Sequence, residues 1–224
     1  MEGRRWISTL LVLAGIVLLA VAGLHYFSGY QAQEEGRRAW EESRAASPVP
    51  TLHVPTPAAA ENPGITGSLP TPSVTEPQGP PYPQGQPIAR LRIPSAKIDY
   101  VVFGGDDAAT LKKGPGHVPG TELPGEETFR KNCVITAHRD SHFRHLGWLH
   151  RGDRIEIEAP SGTLSYRVVS REVVNPDAVR VLQPTEKPRL TLITCYPFNY
   201  VGAAPHRLVV VAEPLADGAS EALH

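Results

Sequence analysis

The chain reads as an all-β domain of sandwich or barrel type, reached through an N-terminal apolar helix and a proline-rich linker. Three observations predict this. Between Pro87 and Pro214, seven short runs of β-branched and apolar residues follow one another, separated by glycine and proline turns. That pattern leaves room for only one or two short helices. Residues 6–27 hold no Lys, Arg, Asp or Glu, and eleven of the 23 prolines crowd between Pro48 and Pro83.

Taken in order, Met1 to Arg5 is a short basic start to the 22-residue apolar run Trp6–Phe27. As a helix this run is about 33 Å long, enough to cross a bilayer core. Arg4 and Arg5 on the short flank predict a cytoplasmic N-terminus and an extracytoplasmic remainder. The reading taken for residues 1–30 is an uncleaved, single-pass signal anchor in the cell membrane. The alternative is a cleaved signal peptide with Ala20-Val21-Ala22 at its cleavage site. The apolar core is long for that and runs past the site.

Residues 31–86 are expected to be a linker. Gln31 to Arg44 is polar and charged and suits an extension of the helix. Ser47 to Gln86, rich in Pro, Thr, Ser, Gly and Ala, cannot bury a core and is expected to be a disordered spacer. In polyproline geometry its 40 residues reach about 120 Å.

Residues 87–214 form the globular head, about 130 residues, a usual single-domain size. Strands are expected at 88–93, 98–103, 133–137, 154–158, 164–174, 189–194 and 207–212. Pro94 closes the first and Gly104-Gly105 the second. Arg154-Ile-Glu-Ile-Glu158 alternates with period two, so one face is core and the other wet. Asp107 to Lys112 fits a short helix, with Asp106 or Asp107 as N-cap and Gly114 as stop. Ser141 to Leu149 fits another. Residues 215–224 lack periodicity and are expected to be a disordered tail.

The charges nearly balance, 22 basic against 23 acidic. This excludes a non-specific nucleic-acid binder, which carries a large positive excess. Cys133 and Cys195 are the only cysteines. They make neither a C-x-x-C metal pattern nor a disulfide scaffold. Glu126-Glu127 and Glu156/Glu158 are too sparse for a calcium site. No metal and no cofactor are expected.

The chemistry gathers at strand ends. Arg189-Leu-Thr-Leu-Ile-Thr-Cys195 is a buried-type strand that must stop before the interior of Pro197. A cysteine there is either a rigidly held nucleophile or a small buried residue. His138 ends the strand from Cys133, and Arg207 opens the last strand. A thiolate nucleophile, an imidazole acid/base and a guanidinium at an oxyanion make a coherent acyl-transfer set. Position alone separates His138 from the other eight histidines.

Four separated segments carry a resemblance to a known family. Thr191-Leu-Ile-Thr-Cys195 matches the TLxTC signature of sortases, the membrane-anchored cysteine transpeptidases. Thr136-Ala-His138-Arg-Asp140 resembles the family's A-G-H-R-D motif. Cys195-Tyr-Pro-Phe198 and Ala204-Pro-His-Arg207-Leu208 resemble the sequences after its cysteine and around its arginine. Gly114-Pro-Gly-His117-Val-Pro-Gly120-Thr-Glu-Leu-Pro124-Gly resembles the stretch before its histidine. The Cys-Tyr-Pro-Phe form is most similar to class D sortases.

The resemblance spans Pro87 to about Pro214 and implies a closed eight-stranded β-barrel. It implies Cys195 as nucleophile, His138 as general acid/base and Arg207 as substrate and oxyanion ligand, with Thr194 as a lesser positioning residue. It implies cleavage of an LPxTG-like C-terminal sorting signal on a surface protein, through a thioester. The acyl group then passes to an amine on a cell-wall peptide or a pilin lysine.

Ala137 departs from the family's usual glycine, which is tolerable where the backbone has negative φ. His206 stands where a lysine is common. Cys133 is read as a buried structural thiol and Asp140 as a surface-turn acid. Other cysteine enzymes fit poorly. Papain-like enzymes place Cys before His, and L,D-transpeptidases need a Ser-x-Gly-Cys context absent here. The remaining alternative is a catalytically degenerate, membrane-tethered barrel that binds or scaffolds.

Overall fold

The computed structural model describes residues 2–46, 82–123, 131–160 and 162–215. Most of the expected spacer (47–81), the pair Glu126-Glu127 and the tail from residue 216 lie outside the described residues.

The head is a closed barrel. Its strands are β1 (Pro87–Ile93), β2 (Ile98–Gly104), β3 (Gly116–His117), β4 (Asn132–Thr136), β5 (Arg154–Ala159), β6 (Gly162–Val174), β7 (Arg189–Tyr196) and β8 (His206–Pro214). Around the barrel they run β1-β2-β3-β4-β7-β8-β6-β5. The pairs β2–β3 and β4–β7 are parallel and the others antiparallel. Period-two alternation fills the interior: Leu91 and Ile93, Ile155 and Ile157, Leu190 and Leu192, Leu208 and Val210 all face one core. The wet side of β5 carries Glu156 and Glu158, which pair with Arg92 of β1.

Seven of these strands stand where the apolar runs predict them. The eighth, β3, is two residues long, too short to have a period. Helix α2 (Ala108–Lys113) begins at Asp107, whose side chain accepts from the N–H groups of Ala109 and Thr110, and ends at Gly114. The expected helix over Ser141 to Leu149 is instead a run of turns with one 3-10 turn, Leu146–Trp148. Phe143, Leu146 and Leu149 are all fully buried. Their spacing of three matches the three residues per turn of a 3-10 helix.

The N-terminal helix α1 (Glu2–Ala46) is continuous, and its polar second half packs on the barrel. Residues 31–46, expected as the start of the linker, thus belong to a docked helix. Among the described residues no helix is long and apolar enough to cross a membrane. Several side chains within 6–27 fall outside them, so the anchor rests on the sequence of that run.

Candidate active site

Cys195 is the penultimate residue of β7, and Arg207 is the second of β8. The two are direct cross-strand partners. Their Cα atoms are therefore about 5 Å apart with side chains on the same face. That face is the outer one. Leu190, Leu192 and Leu208 turn inward, while Ile193 and Val209 belong to a second, smaller apolar cluster outside the barrel wall. Cys195 is a free, half-buried thiol.

His138 lies two residues past the end of β4. β4 runs parallel to β7 with Thr136 opposite Ile193. Ala137 prolongs the ladder by donating its N–H to Ile193 O at 3.2 Å. Counting on in the same register brings His138 level with Cys195 on the outer face. Its ring is exposed. Its carbonyl accepts from Phe143 N–H at 3.0 Å, which closes the turn behind it. The structure therefore gathers Cys195, His138 and Arg207 at one rim.

Thr194 is buried and faces inward, away from Cys195. Its hydroxyl donates to Ala137 O at 2.8 Å. The bond ties β7 to the residue before His138, so Thr194 braces the segments that carry Cys195 and His138. Ala137 is itself buried, and its φ lies outside the left-handed region, which among described non-glycine residues only Lys97 and Lys131 occupy. The methyl group is thus accommodated where a glycine is usual.

Arg207 donates from Nη1 to Ala204 O at 3.3 Å and to His206 O at 3.0 Å. Among the described residues its remaining N–H groups have no partner. Asp140 is exposed in the turn after His138. The neighbouring His142 is held well below the usual imidazole range, at about 4, chiefly by burial and further by repulsion from His138, while the carboxylate of Asp140 opposes the shift. Cys133 is buried, and burial raises its thiol far above the ordinary value, so it is inert.

Sequence reasoning missed several supporting groups. Arg139 donates from Nη2 to Tyr200 O at 2.7 Å and Gly202 O at 3.0 Å, pinning the loop after Cys195 to the His138 turn. Asn132 is buried and donates to Val181 O at 3.0 Å and Gln183 O at 2.9 Å, and it accepts from the Thr191 hydroxyl at 2.8 Å. Single polar residues inside strands carry no periodic signal that would mark them.

Two hollows flank the rim. One, of about 280 Å³, is mainly apolar, with Thr136, Ile193, Val179, Val181 and Leu182 in its walls and Arg207 at its edge. The other, of about 560 Å³, is cationic and aromatic, lined by Arg139, Arg144, Trp148, Arg171, Tyr196 and Phe198 among others. Among the described residues no three His, Cys, Asp or Glu side chains cluster to hold a metal ion.

A sortase domain model matches residues 91–215, more than half of the chain. The chain is 35% identical over 127 residues to sortase D of Bacillus subtilis (strain 168), covering 56% of this chain and 63% of that one. Across the curated relatives it matches, the chain spans 51% to 63% of their length. Among solved structures, it aligns with a Clostridium perfringens sortase D5 transpeptidase at 25% identity and a TM-score of 0.53, covering 59% of this chain and 81% of that one. It aligns with sortase C-1 of Actinomyces oris at 34% identity and a TM-score of 0.53, covering 58% and 75%.

Proposed function

The chain belongs to the sortase family, and from that premise we propose that it is a membrane-anchored cysteine transpeptidase acting on a C-terminal sorting signal. The observation that carries this is the cross-strand pairing of Cys195 with Arg207, with His138 in register beside them.

In this reading the Cys195 thiolate attacks the Thr carbonyl of an LPxTG-like peptide, and the Thr–Gly amide bond breaks. The free N–H groups of Arg207 meet the oxyanion. His138 protonates the departing amine, leaving a thioester on Cys195. An acceptor amine, on a cell-wall peptide or a pilin lysine, then gives its proton to His138 and takes the acyl group. The apolar hollow beside Ile193 and Val181 suits the Leu-Pro portion of the signal. The other hollow lies beyond Tyr196 and leaves the second substrate its own approach.

The anchor is residues 6–27. Leu10, Leu11, Val12 and Leu13 make a full helical turn and are each more than half exposed, and Ile16 to Leu19 repeat the pattern. A helix that shows apolar side chains on every side needs an apolar surround. The basic flank before it orients the head outward.

The test is mass spectrometry of the full chain in detergent with an LPxTG-like peptide and an amine. Wild type should gain the acyl mass and pass it to the amine. Cys195→Ala should gain none, and Arg207→Ala should lose about 2.7–4 kcal/mol of transition-state stabilisation, roughly 100- to 1,000-fold in rate. A Cys195→Ala protein that still cleaves the peptide would sink the mechanism. An intact wild-type protein that never forms the adduct with any such peptide favours the degenerate binding barrel.

A further inference from the structure

The sequence reading sets the head at the end of a spacer reaching about 120 Å. The contacts of α1 point elsewhere. Val101 of β2 pairs with Arg90 of β1 on one side, while β3 pairs only with Phe103 and Gly104 on the other. This leaves the Val101 N–H and C=O as an open strand edge. Gln33 of α1 fills it. Its carboxamide accepts from Val101 N–H at 2.9 Å and donates to Val101 O at 3.2 Å and Lys113 O at 2.8 Å. It does for Val101 what a neighbouring strand would do.

The rest of the contact is built to match. Gly36 sits so close to the barrel that a Cβ there would come within 2.7 Å of Phe103 Cζ. A side chain on Gly114 would strike the Gln33 amide. Trp40, one to two turns on, is 3% exposed. Arg44 closes the far end with an ion pair to Glu158 of β5 at 3.0 Å. At the near end, Gly29 lies against Lys112 O, where a Cβ would be at 3.4 Å.

Helix rise sets the scale. Measured from Phe27, the end of the uncharged run, Gly29 is about 3 Å along the axis, Gln33 about 9 Å and Arg44 about 26 Å. The barrel is therefore gripped within the first turns beyond the apolar segment. We propose that residues 29–44 of α1 are a docking strut that clamps the catalytic barrel directly onto the membrane surface, with α2 and its exposed Lys112 at headgroup level. The segment 47–81 then joins the far end of the strut back to Tyr82 on the barrel, where Tyr82 hydrogen-bonds His117. The distance from membrane to active site is then fixed by the strut. This rests on the reading of 6–27 as a membrane anchor.

The full chain in vesicles carrying anionic lipid tests it, with a site for a sequence-specific protease inserted between Thr66 and Gly67. Uncut protein should sediment with the vesicles. After the cut, the wild-type barrel should stay in the pellet, and a Gln33→Ala/Gly36→Trp variant should release it. Release of the cut wild-type barrel overturns the strut. Retention of both barrels also overturns it, because the named contacts would not be what holds. Uncut protein left in the supernatant overturns the anchor itself, a different failure. Peptide cleavage by the released variant barrel shows that it is folded. As a second readout, a short bismaleimide should join Arg44→Cys to Glu158→Cys in a Cys195→Ala background. No cross-link in intact vesicles counts against the strut.

Discussion

At the scale of single residues, the site depends on a bond that touches no substrate. Thr194 Oγ1 donates to Ala137 O in a buried position. Thr194→Val keeps the shape but leaves that carbonyl unpaired, which costs about 1–3 kcal/mol. The same change frees the residue before His138. Thermal melts should therefore show the loss of stability, and kcat should fall while the affinity for peptide holds. Ala137→Gly makes the opposite kind of change, since it restores the family's usual residue. No positive φ demands glycine there, so activity should stay near wild type. Stability should drop by about 0.5–1 kcal/mol through backbone freedom alone. Nearby, His142 packs edge-on against Tyr100 at 4.9 Å and titrates near 4, depressed chiefly by burial, against an ordinary value near 6.5. Between these values the unfolded chain binds the extra proton. Its contribution to stability is thus complete above about pH 6.5 and is lost as the pH falls toward 4, at up to about 1.4 kcal/mol per pH unit. Denaturant unfolding of His142→Gln should show a flatter acid limb across that window. An unchanged limb would mean that the ring is not kept neutral by the fold.

At the scale of elements, the groove beside Cys195 exists because the connection from β6 to β7 is held down. Asn132 of β4 reaches its 3-10 turn, Val179–Leu182, through Val181 O and Gln183 O, and Thr191 of β7 orients that amide. Asn132→Leu strands two carbonyls and a hydroxyl. The wall carrying Val179 and Val181 should loosen, raising KM for the sorting peptide several-fold, with kcat less affected. Steady-state kinetics separate the two, and a fall in kcat alone would argue against the role. The same element shows what a sequence does and does not display. The seven longer strands were legible as runs of β-branched and apolar residues between glycine and proline turns, with period-two alternation in 154–158. The rim was legible because Cys195, His138 and Arg207 end or begin such runs. The groove wall was not, since residues 175–188 have no period and are placed by hydrogen bonds from strands distant in sequence. β3 was illegible for a related reason, being two residues that are a strand only by virtue of Phe103, Gly104, Ile135 and Thr136 beside them.

At the scale of the whole molecule, the docked helix was the least legible feature, and its chemistry explains why. Hydrophobic pattern finds interfaces made of apolar stripes. This one is an amide filling a strand edge, a glycine allowing close approach, one buried tryptophan and a terminal ion pair. On a helix otherwise rich in Glu and Arg, such a set reads as solvated. Its presence nevertheless makes the barrel incomplete without α1. A chain starting at residue 82 would leave both backbone groups of Val101 without the Gln33 amide and would uncover the face where Gly36 meets Phe103. Exposed edge groups and an apolar patch together invite pairing with a second copy. The truncated barrel should therefore melt several degrees below one that retains residues 29–46, since about 1 kcal/mol moves the midpoint of a domain this size by some 2–8 °C. It should also self-associate with rising concentration in sedimentation velocity, while the longer form stays monomeric. Equal melting points and equal sedimentation would show that the strut adds nothing to the fold, and would leave it only the task of setting the barrel's height above the membrane.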